Sequence, residues 1–244
     1  MKKFVQLRRI VSAVVNTPLG LFGYELRTIP ITATDNYLWL KNSGICTVID
    51  VGANVGQFAK TILKALPQAN VYSFEPLSHC CEELNRLCRD YENWKVFPFA
   101  CGEKAEQVKM YRSEFSPSSS LLKMADKHKE LFPQTANISS ETVSVRPLDD
   151  VVGPLDLEKE VLVKMDVQGF EDRVIRGGHK TFKLAKIVIT EVSFEKLYEA
   201  QGDFHTVYGL LYQLGFHFCG FVSQMCESQT GLPIQADAIF MRQK

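Results

Sequence analysis

Asp50, Gly52, Asn54 and Gly56 stand at alternate positions in TVIDVGANVGQFAKTIL, and a second acid, Glu75, closes the later stretch NVYSFE. An apolar run of strand length precedes the glycines and helical periodicity follows them. The junction is therefore a strand-to-helix turn, where backbone approaches a ligand at the carboxyl ends of parallel strands. A dinucleotide fingerprint needs G-x-G-x-x-G, but Asn54 and Gln57 occupy its second and third glycine places. A P-loop needs Lys-Ser/Thr after its last glycine, and none follows Gly56.

An acid at the strand end repels pyrophosphate and suits a cation. S-adenosylmethionine carries an ammonium and a sulfonium and no phosphate. Gly52 would admit its methionine part, and Asp50 would favour its positive end, directly or through water. Asn54, Gly56 and Gln57 complete the turn. Glu75, followed by Pro76, falls where a nucleotide-binding βαβ unit places its ribose acid, and one carboxylate accepts from both ribose hydroxyls. A solvated acid at a strand end is the alternative; the turn before it favours ribose. Ala100 and Cys101, after the third strand, fall where adenine packs.

With that cofactor the reaction is an in-line displacement at the sulfonium methyl. Because the methyl is already activated, the protein supplies orientation and electrostatics. A hydroxyl acceptor needs its proton removed, and a general base within hydrogen-bond reach would help. Asp166, at the carboxyl end of EVLVKMD, is the first candidate. Three readings stand for it: base or orienting group for the acceptor, partner of the cofactor's cationic end, or a purely structural role. Glu191, ending the next strand, is the second candidate. Gln168 is positioned to hydrogen-bond an acceptor, and Glu171 to face a helix N-terminus. Ser119 and Ser120 read either as the acceptor side of the site or as loop solvation. Asp237 reads as structural, just ahead of the last strand. Lys164 faces either the cleft or a helix.

These groups require a parallel sheet. Strand, helix, strand, helix, strand runs through TVIDVG, QFAKTILKAL, NVYSFEP, LSHCCEELNRLCRDY and WKVFPFACG, which means βαβ units. Ser78 is the expected N-cap of the second helix. Residues 1–44 form an N-terminal extension and 45–244 the main domain. A stretch at about 103–155 is an insertion too short for its own core, with QVKMYRS and TVSVRPLDDVV as strands. EVLVKMDVQG, FEDRVIRGG, AKIVITEVS and HTVYGLLYQLG restore the alternation. FHFCGFVS and ADAIFMRQ close the chain as an antiparallel pair.

Of 244 residues, 45% are hydrophobic, and 28 basic residues balance 28 acidic ones. No global field draws nucleic acid or anionic membrane. No N/D-P-P-Y or Pro-Cys motif of a nucleic-acid methyltransferase is present. The basic N-terminus has an apolar run shorter than a signal peptide's and far short of a membrane span. It reads as an amphipathic helix that packs, oligomerises or touches a membrane surface weakly. Seven cysteines, no C-x-x-C and no His/Cys metal spacing indicate free thiols, a cytoplasmic location and no metal.

The segments VIDVGANVGQFA, SFEP, FPFACGE, SSSLL, RPLDD, VLVKMDVQGFEDRVIRGG, VITEVSFE and ADAIFMR occur in the order of the FkbM family, and the chain resembles that family from about residue 45 to 242. The resemblance implies an α/β, Rossmann-like class I methyltransferase fold. Its sheet would have seven strands in the order 3-2-1-4-5-7-6, the seventh antiparallel, with helices on both faces. It also implies an S-adenosylmethionine-dependent O-methyltransferase acting on a small-molecule or glycan hydroxyl, with a sugar in polysaccharide biosynthesis as the expected acceptor. The family's common D-V-E-G reads D-V-Q-G here, with Gln168 in the acid's place. The alternative is a non-catalytic or other nucleotide-binding module of the same fold, which the intact Asp50, Gly52, Gly56 and Glu75 argue against.

Overall fold

A computed structural model describes residues 33–113, 116–135, 138–155, 157–227 and 229–242. The expected N-terminal amphipathic helix lies outside the described residues. The chain divides into two compact units, Met1–Asn36 and Tyr37–Lys244, and all that follows concerns the second.

Strand β1 (Thr47–Val51) is buried along its whole length between β2 (Asn70–Phe74) and β7 (Val161–Met165), both parallel to it. A strand covered on both faces reads as a continuous apolar run, and TVIDV does so except at Thr47 and Asp50. Helix α1 (Gln57–Ala65) follows the turn and ends ahead of Pro67, which disfavours helical backbone at Leu66. Helix α2 (Ser78–Leu87) then leads to β3 (Trp94–Phe97). WKVFPFACG, expected as one strand, breaks at Pro98, which has no N–H for the ladder. Its second half, β4 (Ala100–Gly102), joins a separate three-stranded sheet with β5 (Glu106–Ser113) and β6 (Ile138–Pro147), in the order β4-β6-β5.

A short helix, α3 (Asp126–Leu131), lies between β5 and β6. TVSVRPLDDVV is also not one strand. It turns at Pro147 into α4 (Leu148–Val152), whose helical spacing brings Leu148, Val151 and Val152 together into the core. Helices α5 (Glu171–Gly177) and α6 (His179–Leu184) precede β8 (Ala185–Ser193), and α7 (Phe204–Gln213) precedes β9 (Phe216–Cys226) and β10 (Pro233–Arg242). Asp203 caps α7 by accepting from Thr206 N at 2.8 Å.

The main sheet runs β3-β2-β1-β7-β8-β10-β9, with β10 antiparallel to both neighbours. Numbered within the sheet, that is the expected 3-2-1-4-5-7-6. Ile49, Val51, Val163 and Met165 pack into one core layer, with residues of α4, α5 and α7. Val48 and Leu162 pack into the opposite layer with α1 and α2. Strand order reverses at the β1–β7 boundary, and such a switch point opens a crevice at the strands' carboxyl ends. Gly52, Glu75 and Asp166 all stand there.

Candidate active site

The β1–α1 turn is held by backbone. Gly52 N and Ala53 N both donate to Phe74 O, at 3.0 and 3.1 Å. Gly52 has φ +81°, and a Cβ there would lie 2.0 Å from the carbonyl oxygen of Asp166. This glycine is therefore demanded by the close passage of β1 against the end of β7, independently of any ligand. Asn54 has φ +49°, a conformation this residue type tolerates. Its N–H donates to Glu75 Oε2 at 2.8 Å. Gly56 has φ +82° and packs under Trp94 and Leu84, with 2.9 and 3.0 Å left for a Cβ.

Glu75 is buried, and its Oε1 accepts from Leu77 N at 2.9 Å. Burial pushes its pKa up to about 7, against the lowering effect of the Leu77 and Asn54 amides. The same bond corrects the expected cap of α2. The residue preceding that helix is Leu77, with no side-chain cap, and Ser78 is its first residue, its N–H donating to Glu141 Oε1 at 3.1 Å.

The cleft above these groups has a cavity volume of about 50 Å³ and is lined by Gly52, Asn54, Glu75 and Pro76, by Ala100 and Cys101, and by Ser119, Asp166 and Gln168. Phe74, Leu77, Met110, Leu121 and Phe170 make its walls largely apolar. Five expected site residues lie outside that lining. Gln57 is exposed at the start of α1, and Gly56 sits beneath the turn. Ser120 is buried and donates through Oγ to Gln168 O at 2.7 Å. Asp50 is buried below the cleft; its Oδ2 lies 3.4 Å from Ser73 Oγ, and its Oδ1 has no partner among the described residues. Burial raises the Asp50 pKa to about 6, opposed by the Lys164 ammonium.

The fifth, Glu191, belongs to a side-chain network at the tip of β7. It lies inside β8 rather than at its end, and Asp237 likewise lies within β10. Lys164 Nζ donates to Asp166 Oδ2 at 2.9 Å. Gln168 Nε2 donates to Asp166 Oδ1 and to Glu191 Oε2, each at 2.8 Å. Gln235 Nε2 donates to Glu191 Oε1 at 2.6 Å. Burial alone would raise the Asp166 pKa, but Lys164 and the Gln168 amide overcome it and hold the carboxyl below its ordinary range. Burial, then the charge of Asp166, pushes Glu191 well above its own.

Glu171 spans the loop before α5, accepting from Val167 N at 3.0 Å, and burial raises it to about 7. Lys164, left open by the sequence, points toward α1, its Nζ 5.8 Å from the Phe58 ring centroid. Strand alternation was the signal for it, because residues two apart share a face. Gln235 and Tyr198, which donates to Gln168 Oε1 at 2.8 Å, carried no signal. Their partners are 44 and 30 residues away.

The cleft's chemistry suits an adenosyl cation. Each Glu75 oxygen keeps a lone pair for a ribose hydroxyl, the walls are apolar, and Asp166 supplies an ionised carboxylate. No group of three or more His, Cys, Asp or Glu among the described residues is arranged for a metal ion. Residues 50–218 match the family described as the methyltransferase FkbM domain. The chain belongs to that family.

The chain is 29% identical over 175 residues to the 2-O-methyltransferase NoeI of Sinorhizobium fredii, spanning 67% of this chain and 70% of that one. It is 27% identical over 193 residues to methyltransferase sdnD of Sordaria araneosa, spanning 69% and 73%. A putative rRNA-methylase from Clostridium thermocellum shares the fold at a TM-score of 0.50 and 9% identity, covering 89% of this chain and 99% of that one. This FkbM chain is thus a Rossmann-like, S-adenosylmethionine-dependent methyltransferase. No helix among the described residues is long and apolar enough to cross a membrane.

Proposed function

We propose that this FkbM enzyme is a cytoplasmic O-methyltransferase acting on a hydroxyl of a small molecule or glycan, with a sugar of polysaccharide biosynthesis as the favoured acceptor. The observation that carries the reading is the Asp166 carboxyl, accepting from Lys164 and Gln168, on the wall of an apolar cleft. Likeness to a relative named as a 2-O-methyltransferase supports oxygen as the nucleophile.

When bound, S-adenosylmethionine supplies the activated methyl group. Glu75 holds the ribose hydroxyls, with Asn54 and Pro76 shaping that end of the cleft. Ala100 and Cys101 pack the adenine. Gly52 lets the turn close on β7, Gly56 and Gln57 start α1, and Asp50 adds negative charge from beneath. Ser119 and Gln168 face the acceptor, and Ser120 supports Gln168 from behind. Asp166 keeps one lone pair per oxygen beyond its present bonds. It orients the acceptor hydroxyl and receives its proton as the new O–C bond forms and the C–S bond breaks. Glu191 stands behind Asp166, with both oxygens engaged and no face on the cleft, so it is second in line.

Calorimetry should show S-adenosylmethionine and its demethylated product binding while NAD does not. Asp166→Asn keeps the shape and removes the proton acceptor, so transfer across a panel of glycans should fall roughly 10²–10⁴-fold with cofactor affinity nearly unchanged. Loss of affinity along with turnover would instead make Asp166 the partner of the cofactor's cationic end. Near-wild-type transfer would remove both roles.

A further inference from the structure

We infer that Tyr198, which lies outside the cleft, is a positioning residue for Asp166: its hydroxyl sets which way the Gln168 amide faces. This rests on the role proposed above for Asp166.

The Gln168 side chain stands among groups of opposite demand. Asp166 Oδ1 and Glu191 Oε2 both need donors, and Gln168 Nε2 reaches each at 2.8 Å. A primary amide nitrogen has two hydrogens, and both are used. The remaining atom, Oε1, needs a donor of its own, and Tyr198 Oη supplies it at 2.8 Å. A phenol is the right group for this task. Burial, then the charges of Glu191, Asp166 and Glu171, pushes its pKa far above the ordinary range, so it keeps its proton and donates.

Without that donor the amide loses its reason to hold this orientation. The competing acceptor for the Tyr198 proton is Ser118 O, at 3.2 Å. Rotation of the amide by half a turn would place Oε1 against two carboxylates, and Asp166 would lose one of its two bracing donors.

The backbone of Gln168 is braced as well. It has φ +53°, uncommon for a residue with a side chain, and Ser120 Oγ holds its carbonyl at 2.7 Å. Tyr198 itself is fixed. It is buried, its backbone N–H donates to Gln201 Oε1 at 2.6 Å, and its ring meets His128 edge-on with centroids 5.0 Å apart. Ser120 and Tyr198 are not on the cleft wall, yet each holds Gln168, which is.

Asp166 feels charged or titratable groups from every element packed against it: Lys164 on β7, Glu171 on α5, Glu191 on β8, Asp50 on β1, and Tyr37 and Tyr198 from the flanking segments. Lys164 and the Gln168 amide favour its charged form, and burial opposes it. Losing the oriented amide therefore raises the pH at which Asp166 takes a proton.

The test is Tyr198→Phe, which keeps the ring and removes one hydroxyl. Carbon-13 titration of the Asp166 carboxyl in the whole protein should show its midpoint moving to higher pH. Turnover should fall on the order of tenfold, short of the roughly 100-fold that follows a full misplacement of a reacting group. The acid limb of the rate profile should move up with the titration, and KM for S-adenosylmethionine should stay unchanged. A second arm compares Gln168→Leu with the double variant. If Tyr198 acts through Gln168, the double variant is no worse than Gln168→Leu alone. An unmoved Asp166 midpoint, or fully additive losses, overturns the assignment. The titration needs no acceptor, so it still decides the case if no hydroxyl is methylated.

Discussion

Glu75 and Asp166 face the same cleft, and each has both oxygens occupied, yet the donors differ in kind. At Glu75 they are backbone amides, Asn54 N and Leu77 N, 21 and 2 residues away in sequence. At Asp166 they are side chains, the Lys164 ammonium and the Gln168 amide, and Gln168 depends in turn on Tyr198. Backbone donors survive nearly any local substitution and give a carboxyl whose pKa is decided by burial. At Asp166 the Lys164 ammonium brings a charge that, with the Gln168 amide, overrides burial. Of two acids on one cleft, one is consequently raised to about 7 and the other lowered. A raised carboxyl binds hydroxyls as it ionises; a lowered one is anionic before the substrate arrives.

Substitution at Gly52 should break both ends at once, because Gly52 is where they touch. Gly52→Ala must displace the Asp166 carbonyl from 2.0 Å, and urea unfolding should show a loss of about 3 kcal/mol or more, if the protein folds. Gly44→Ala is the control. Gly44 also has positive φ, at +76°, but open space for a Cβ, so only the left-handed penalty of about 1–2 kcal/mol should appear.

The next effect sharpens the difference between the two acids. In the proposed assignment, ribose hydroxyls donate to the charged form of Glu75, whose ionisation is held up to about 7. Cofactor affinity measured by calorimetry should therefore rise as pH climbs from about 6 to 8, since binding must expel the proton that the buried carboxyl retains. Glu75→Gln should cost about 1.5–3 kcal/mol of cofactor affinity and flatten that dependence. An affinity that is level across this range in the wild-type protein would remove the ribose assignment. Asp166, already ionised, should contribute no change there.

The smallest effect is expected at the thiols. Cys81 Sγ donates to Glu75 O at 2.9 Å, and burial pushes both Cys80 and Cys81 up to about 12. Cys219 and Cys226 are exposed. Alkylation followed by mass spectrometry should mark those two first and leave Cys80, Cys81 and Cys101 unmodified, with cofactor binding unaltered. Early loss of binding, tracking modification at Cys81, would show that the Glu75 end also relies on a side-chain donor.

What the sequence made legible follows the same division. The strand-to-helix turn with its glycines and the acid that follows β2 were readable because they are set by local spacing on one βαβ unit. Breaks within expected strands were harder. Both fell at a proline, Pro98 and Pro147, where the flanking apolar residues gave no hint that the chain was changing sheet or entering a helix. Gly52 was legible as a required glycine, but its neighbour was not, since that neighbour is a carbonyl more than a hundred residues further on.

The sequence by itself determined the alternation of strands and helices, the cationic cofactor expected at the first turn, and the short list of acids at strand ends. These depend on periodicity, glycine chemistry and the sign of a charge, all properties of neighbouring residues. Only the tertiary structure decided which acid has its pKa raised and which has it lowered. That choice depends on burial and on the donors and charges around each carboxyl, and for Asp166 and Glu191 the donors come from β7, the loop after it and β10.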